Sequence, residues 1–176
     1  YMCHHMTSMH LMSTKEAFDH YDTVMCVGQH QKDELRRMEE LYNVPVHNLP
    51  EIGYDLLDRT IAAYAAREHE ANKRPVILIA PSWQNDCILD LCAAEVIDPL
   101  MGQGYKVIVR PHPEYTKRYR PRWEALQQQY ADYSEDEIYF EQDFSTSESI
   151  YDADVMLTDW SSISCEYAFA TLKPVV

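Results

Sequence analysis

The chain has 176 residues, with 29 acidic against 15 basic side chains and a formal net charge of −14. That length holds one modest core, and the acidity excludes nucleic acid as the main partner, because neutralising phosphates requires a basic face. With 46% apolar residues the chain is globular and not disordered, and no apolar run is long enough to span a bilayer.

Residues 1–14 hold His4, His5 and His10 among methionines, without a clear period. Three histidines with no supporting carboxylate do not make a metal site, so no metal and no cofactor is expected. A loop histidine serving proton transfer is the alternative to an ordinary loop histidine there. Tyr21 to Gly28 reads as a strand closed by glycine. Gln31 to Tyr42 follows as a helix with Leu35, Met38, Leu41 and Tyr42 inward, ended by Pro45. Val46 to Ile52 reads as extended, and Gly53-Tyr54 as a turn. Asp55 to Ala71 has helical spacing, with Leu56, Leu57, Ile61, Tyr64 and Ala65 inward. The charged run 68–74 reads as a link.

Pro75 to Pro81 is the strongest strand signal. A continuous β-branched run means burial on both faces, as in a parallel sheet covered by helices. Ser82-Trp83-Gln84 opens the loop after it. Cys87 to Met101 is expected as one helix, with Leu89, Cys92, Ala93, Val96 and Leu100 as its stripe. Tyr105 to Val109 is the next strand, and Arg110-Pro111-His112-Pro113 is the loop at its end. Glu114 to Tyr130 is helical, with a break at Pro121. Ile138 to Phe140 is a short strand, and Ser145 to Tyr151 a short helix capped by Ser145 or Thr146.

Ala153 to Thr158 is a buried β-prone run. After it, Ile163, Tyr167, Ala168 and Leu172 recur at helical spacing. Asp159-Trp160-Ser161-Ser162 is therefore a turn from strand to helix, with free N–H groups, hydroxyls and a positive dipole end that suit a phosphate. Helix capping by Asp159 or Ser161 is the plain alternative. Val175 starts a further strand, and both chain ends read as cut from a longer protein.

Strand and helix alternate throughout. That pattern predicts an α/β fold, a parallel sheet with helices on both faces and a ligand at the strands' carboxyl ends. The three polar loops named above fall there. Lys106, Arg110, Lys117, Arg118, Arg120 and Arg122 also form a basic stretch in an otherwise acidic chain, which suggests a local anion site. The five cysteines are odd in number and lack CxxC spacing. Cys26, in an apolar run, and Cys92, on a helical apolar face, read as reduced core thiols, which points to the cytoplasm.

Ala80-Pro81-Ser82-Trp83-Gln84, Val109-Arg110-Pro111-His112-Pro113 and Thr158-Asp159-Trp160-Ser161-Ser162-Ile163, followed by Lys173-Pro174-Val175, resemble the nucleotide-binding half of the CDP-glycerol glycerophosphotransferases, the teichoic-acid primases and polymerases. His4-His5-Met6-Thr7 and Val27-Gly28 look like the segments that lead into that half. Trp160 stands where Tyr is commoner, and Gln84 where Arg is. The resemblance implies a Rossmann-like carboxyl-terminal domain of a two-domain GT-B glycosyltransferase. Residues 1–20 would lead in from a missing amino-terminal domain. Residues 21–176 would form the donor-binding domain, truncated at its end and inactive alone.

The activity implied is transfer of a glycerol-phosphate (polyol-phosphate) unit from CDP-glycerol to a lipid-linked cell-wall acceptor, at the inner face of the membrane, with release of CMP. His112 would act on the donor phosphate or leaving group; the alternative is a surface loop histidine. His4 or His5 would be the general base. Arg110 would meet a phosphate oxygen or, alternatively, pair with a carboxylate. Ser161 and Ser162 would hold the pyrophosphate, and Asp159 would brace the loop. Glu166 would accept from ribose hydroxyls or be an exposed helix charge. Ser82, Trp83 and Gln84 complete the donor side, although Trp83 could equally fill the core. The alternatives are a nucleotide-sugar glycosyltransferase or epimerase of the same fold, and a non-catalytic nucleotide-binding module. The glycine-rich phosphate loop of the commoner nucleotide modules is not visible.

Overall fold

A computed structural model describes residues 1–14, 16–68 and 71–176. Two compact units divide it, Tyr1–Ala62 and Ala63–Val176.

The first unit packs α1 (Met9–Met12) and α2 (Gln29–Tyr42) with extended segments around Met9, Phe18, Val24, Cys26, Leu35 and Leu49. The expected strand at Tyr21–Gly28 is extended but forms only isolated parallel bridges, Met2 with Met25, Thr23 with Asn48 and Cys26 with Glu51. Pro50 explains the interruption. Asn48 N–H donates to Asp22 O, and Ile52 N–H to Cys26 O. Pro50, between them, has no N–H to give Val24 O. The Cys26 thiol takes that place, donating to Val24 O at 3.5 Å. Helix α2 starts at the Gly28 cap and ends at Asn43, whose φ of 51° is left-handed. It buries Leu35 and Met38, while Leu41 and Tyr42 are exposed, contrary to the expected stripe. Two polar residues take the inward places. Gln31 accepts from Val27 N–H and donates to His5 O, and Glu39 accepts from Arg36 and from His47 N–H.

Helix α3 (Asp55–Ala65) is shorter than expected and buries none of its residues. His69 and Glu70, within the expected helix and link, lie outside the described residues.

The second unit is a parallel sheet covered on both faces. Its elements are β1 (Val76–Ile79), α4 (Ile88–Leu91), α5 (Ala93–Gly102), β2 (Lys106–Val109), α6 (Pro113–Arg118), α7 (Arg120–Gln129), β3 (Ile138–Phe140), α8 (Glu148–Asp152), β4 (Val155–Leu157) and α9 (Ile163–Thr171). Among the described residues the strand order is β3-β2-β1-β4, all pairs parallel. Val175 bridges Met156 beyond β4.

Alternation along the strands builds the two cores. Ile79, Val107 and Val109 face Ile97, Tyr115, Trp123 and Tyr130. Leu78, Ala80, Ile108 and Met156 face Ile150, Ala153 and Tyr167. All of β1 is buried, as its unbroken apolar run requires. Each such aliphatic side chain contributes roughly 1.5–3 kcal/mol when removed from water.

In the second unit three expected helices differ in their bounds or faces. The helix over 87–101 splits at Cys92 (φ −153°, ψ 34°), which ends α4 and begins α5. Helix α8 starts at Glu148, because Asp143 Oδ1 captures both Ser145 N–H and Oγ and turns the chain there. In α9, Leu172 becomes a left-handed C-cap and points to solvent. The break at Pro121 falls as expected, with Tyr119 between α6 and α7.

Candidate functional site

With β2 on one side of β1 and β4 on the other, the winding reverses at β1. Parallel sheets bind ligands in the crevice that such a reversal opens at the carboxyl ends. A cavity of about 220 Å³ lies there. It is lined by Ala80 and Pro81 after β1, Arg110 to Pro113 after β2, Phe144 after β3, and Ser161, Ser162, Ile163 and Glu166 at the start of α9. Backbone bonds hold these strand ends level: Arg110 N–H to Ile79 O and Ala80 N–H to Leu157 O, each 2.9 Å. Thr158 Oγ1 adds a bond to Ala80 O at 2.7 Å.

Ser162 occupies the N-cap of α9 and makes no side-chain capping bond. Its hydroxyl is therefore available in the cavity wall, beside the helix's positive end. Neither Asp159 nor Ser161 caps the helix. Asp159 joins two loops instead: Oδ1 accepts from Ser82 N–H at 2.6 Å, and Oδ2 from Ile88 N–H at 3.2 Å.

His112 is the N-cap of α6, and its Nδ1 accepts from Glu114 N–H at 3.1 Å. That bond leaves the ring proton on Nε2. Burial holds its pKa below the ordinary imidazole value, with Glu114 opposing. His112 is thus a neutral ring with one donor to offer.

Arg110 is nearly buried and does form the ion pair that was the alternative to phosphate binding. Its Nη1 lies 2.7 Å from Glu141 Oε2, and it also donates to Ser149 Oγ and Thr146 O. It lines the cavity as well.

The loop after β1 contributes less than expected. Ala80 and Pro81 line the cavity; Ser82, Trp83 and Gln84 do not. Ser82 is buried, and Gln84 is exposed. Trp83 packs on the core around Ile79, 6.3 Å between ring centroids from His112, with the Arg118 guanidinium 4.7 Å above it.

His4 and His5 belong to the other unit. His4 is exposed. His5 is buried, its Nδ1 is 3.2 Å from Thr7 Oγ1, and burial lowers its pKa.

Two features of the site escaped the sequence: Phe144, which lines the cavity, and Glu141, which does not line it but pairs with Arg110. The signal for Glu141 is register, since Val109 pairs with Phe140 and sets Arg110 beside it.

A larger hollow of about 610 Å³ lies between α4–α5 and α6–α7. It is away from the strand ends, and its partly buried acid, Asp90, is already bonded to Tyr115 OH and Arg122. Among the described residues no group of three or more His, Cys, Asp or Glu side chains could hold a metal ion. No helix among them is long and apolar enough to cross a membrane.

Solved structures of the wall teichoic acid polymerase TagF are similar to this chain. A His-to-Asn variant matches at TM-score 0.54 and 15% identity, over 92% of this chain and 40% of that one. The same variant soaked for 30 minutes with CDPG matches at TM-score 0.50 and 19% identity, over 92% and 38%. At such identities the likeness is one of fold, and it agrees with the GT-B-like, parallel α/β architecture expected. The chain spans about two fifths of the length of the structures it matches. No curated protein matches it. The profile of the CDP-glycerol:poly(glycerophosphate) glycerophosphotransferases matches residues 2–176, nearly the whole chain. This chain belongs to the CDP-glycerol:poly(glycerophosphate) glycerophosphotransferase family.

Proposed function

We propose that the Ala63–Val176 unit binds CDP-glycerol for transfer of glycerol phosphate in wall teichoic acid synthesis. One observation supports this above others: the cavity at the winding reversal sets Arg110, the His112 ring and the uncapped Ser162 around one space. These are donors suited to a pyrophosphate, at the strand ends where such ligands lie.

In the proposed reaction an acceptor hydroxyl attacks the phosphorus that carries glycerol. The new P–O bond forms as the bond to CMP breaks, and the hydroxyl proton passes to a base. Negative charge then builds on the departing CMP phosphate. His112, through Nε2–H, and Arg110 stabilise that charge more than the ground state. The base is assigned to His4 or His5; burial lowers the pKa of His5, which favours its uncharged, proton-accepting form. Glu166 is assigned to the ribose hydroxyls. Ser82 and Asp159 support the loops, and Trp83 backs the His112 ring. A lipid-linked acceptor and a place on the inner membrane face complete the proposal.

Calorimetric titration of the protein with CMP, CDP-glycerol and a UDP-sugar tests it. Heat with the cytidine compounds is expected. Binding of the UDP-sugar alone assigns the site to a nucleotide-sugar transferase, and no heat with any of them rejects the proposal.

A further inference from the structure

Arg110 was singled out by its loop, but what it can offer a ligand is decided by a residue on another strand. Glu141 is the first residue after β3, and its N–H donates to Val109 O at 2.9 Å. Parallel register therefore sets Glu141 beside Arg110 on one face of the sheet. Both side chains are close to fully buried, at 5% and 11% exposure. Glu141 Oε2 takes Arg110 Nη1 at 2.7 Å and Ser149 Oγ at 2.6 Å, while Thr146 O takes Nη2 at 3.1 Å.

We infer that Glu141 is a positioning residue, which fixes the Arg110 guanidinium so that its remaining N–H groups serve an anionic phosphate in the cavity. A guanidinium has five N–H groups in a rigid fork. Glu141, Ser149 and Thr146 use three of them. Two remain for a ligand, and their direction follows from the bonds already made. Glu141 also neutralises most of the local charge, so Arg110 acts there as an aimed donor more than as a bare cation. An unanchored cation in so acidic a chain would be drawn to other carboxylates.

The inference rests on the anion-binding role proposed for the cavity, and the two can fail separately. CMP and inorganic pyrophosphate are titrated into the wild-type protein, Arg110→Ala, Glu141→Ala, Glu141→Gln and the double alanine variant, with a thermal melt of each. Arg110→Ala should weaken binding about tenfold or more, the scale of one charge-assisted bond. Glu141→Ala should lose nearly as much, and the double variant no more than either single one. Glu141→Gln keeps an acceptor for Nη1 and should stay within about threefold of wild type. If Glu141→Ala does not fold, Glu141→Asp serves in its place: it keeps the charge but not the reach, and should also bind weakly. Wild-type affinity in Glu141→Ala or Glu141→Asp overturns the inference, and so do losses that multiply in the double variant. If the protein binds pyrophosphate but not CMP, the cytidine assignment fails and the comparison is read with pyrophosphate. If it binds neither, both fail.

Discussion

The two edges of the central sheet carry similar polar residues and use them in opposite ways. At the amino edge, Asp154 Oδ2 accepts from Val76 N–H and from Asn72 Nδ2. Arg74 donates to the carbonyls of Gly104, Tyr105 and Asp136. Lys173 Nζ donates to those of Tyr151 and Ala153. Most of these bonds are to backbone, and they fasten loops. At the carboxyl edge, Arg110 pairs with Glu141 and also lines the cavity, His112 offers Nε2–H there, and Ser162 makes no side-chain capping bond. Residue type does not separate the two edges; Arg110, His112 and Ser162 line the cavity at the strand ends, and Asp154, Arg74 and Lys173 do not.

Substitutions at the two edges should therefore have different signatures. The largest effect is expected from His112→Ala, which in the full-length parent enzyme should lower kcat roughly a hundredfold, the usual scale for losing one transition-state donor, with little change in KM for the donor. Steady-state kinetics with the donor varied checks this, and a change confined to KM would reverse the assigned role. Next comes Asp154→Ala. It strands Val76 N–H and Asn72 and should cost about 1–3 kcal/mol of stability by denaturant unfolding, while CMP affinity is retained. If CMP affinity falls and stability holds, the contrast between the edges is wrong.

Acid should act more gently. Burial holds the folded-state pKa of His112 and of His5 below the unfolded imidazole value. The unfolded chain therefore binds the extra protons first, and stability is lost as pH falls from the ordinary imidazole value towards the folded ones. Above about pH 8 these two groups should contribute almost no slope. Urea unfolding across that range reads the sign, and stability that rises on acidification would contradict it. The smallest effect is expected from Trp160→Ala. Although Trp160 lies inside the loop after β4, it is 79% exposed and lines no part of the cavity. Its replacement should change stability by no more than about 0.5 kcal/mol, as at other open surface positions.

The sheet was legible because β1 is an unbroken apolar run, and only burial on both faces explains such a run. The carboxyl-edge loops were legible as polar breaks that follow strands. What each residue does within them was not. Arg110 looked equally suited to a phosphate and to a carboxylate, and its actual neighbour is 31 positions away, placed by strand register. Asp159 and Ser161 both looked like caps, yet the cap fell to Ser162, because Asp159 is drawn to the amides of Ser82 and Ile88. In α2 the helical period was right, but the inward face was partly misassigned. Gln31 and Glu39 are buried through specific bonds that hydrophobicity does not encode. The bridges around Val24 were overestimated as a strand because the effect of Pro50 appears only once its partner is known.

The placement of β4 outside β1 bears on how the chain is made. Thr158 and Ala80, whose bond ties β4 to β1 beside the cavity, are 78 residues apart in sequence. During ribosomal synthesis, β1, β2 and β3 emerge first and can pair in order. The cavity still lacks a wall until β4 and the first turn of α9 have left the exit tunnel. Joining such distant strands is also the slow step expected in folding, since a long loop must close before its contacts form. Nucleotide binding should therefore mark completion of this unit, and nascent chains arrested before Ser162 should show none.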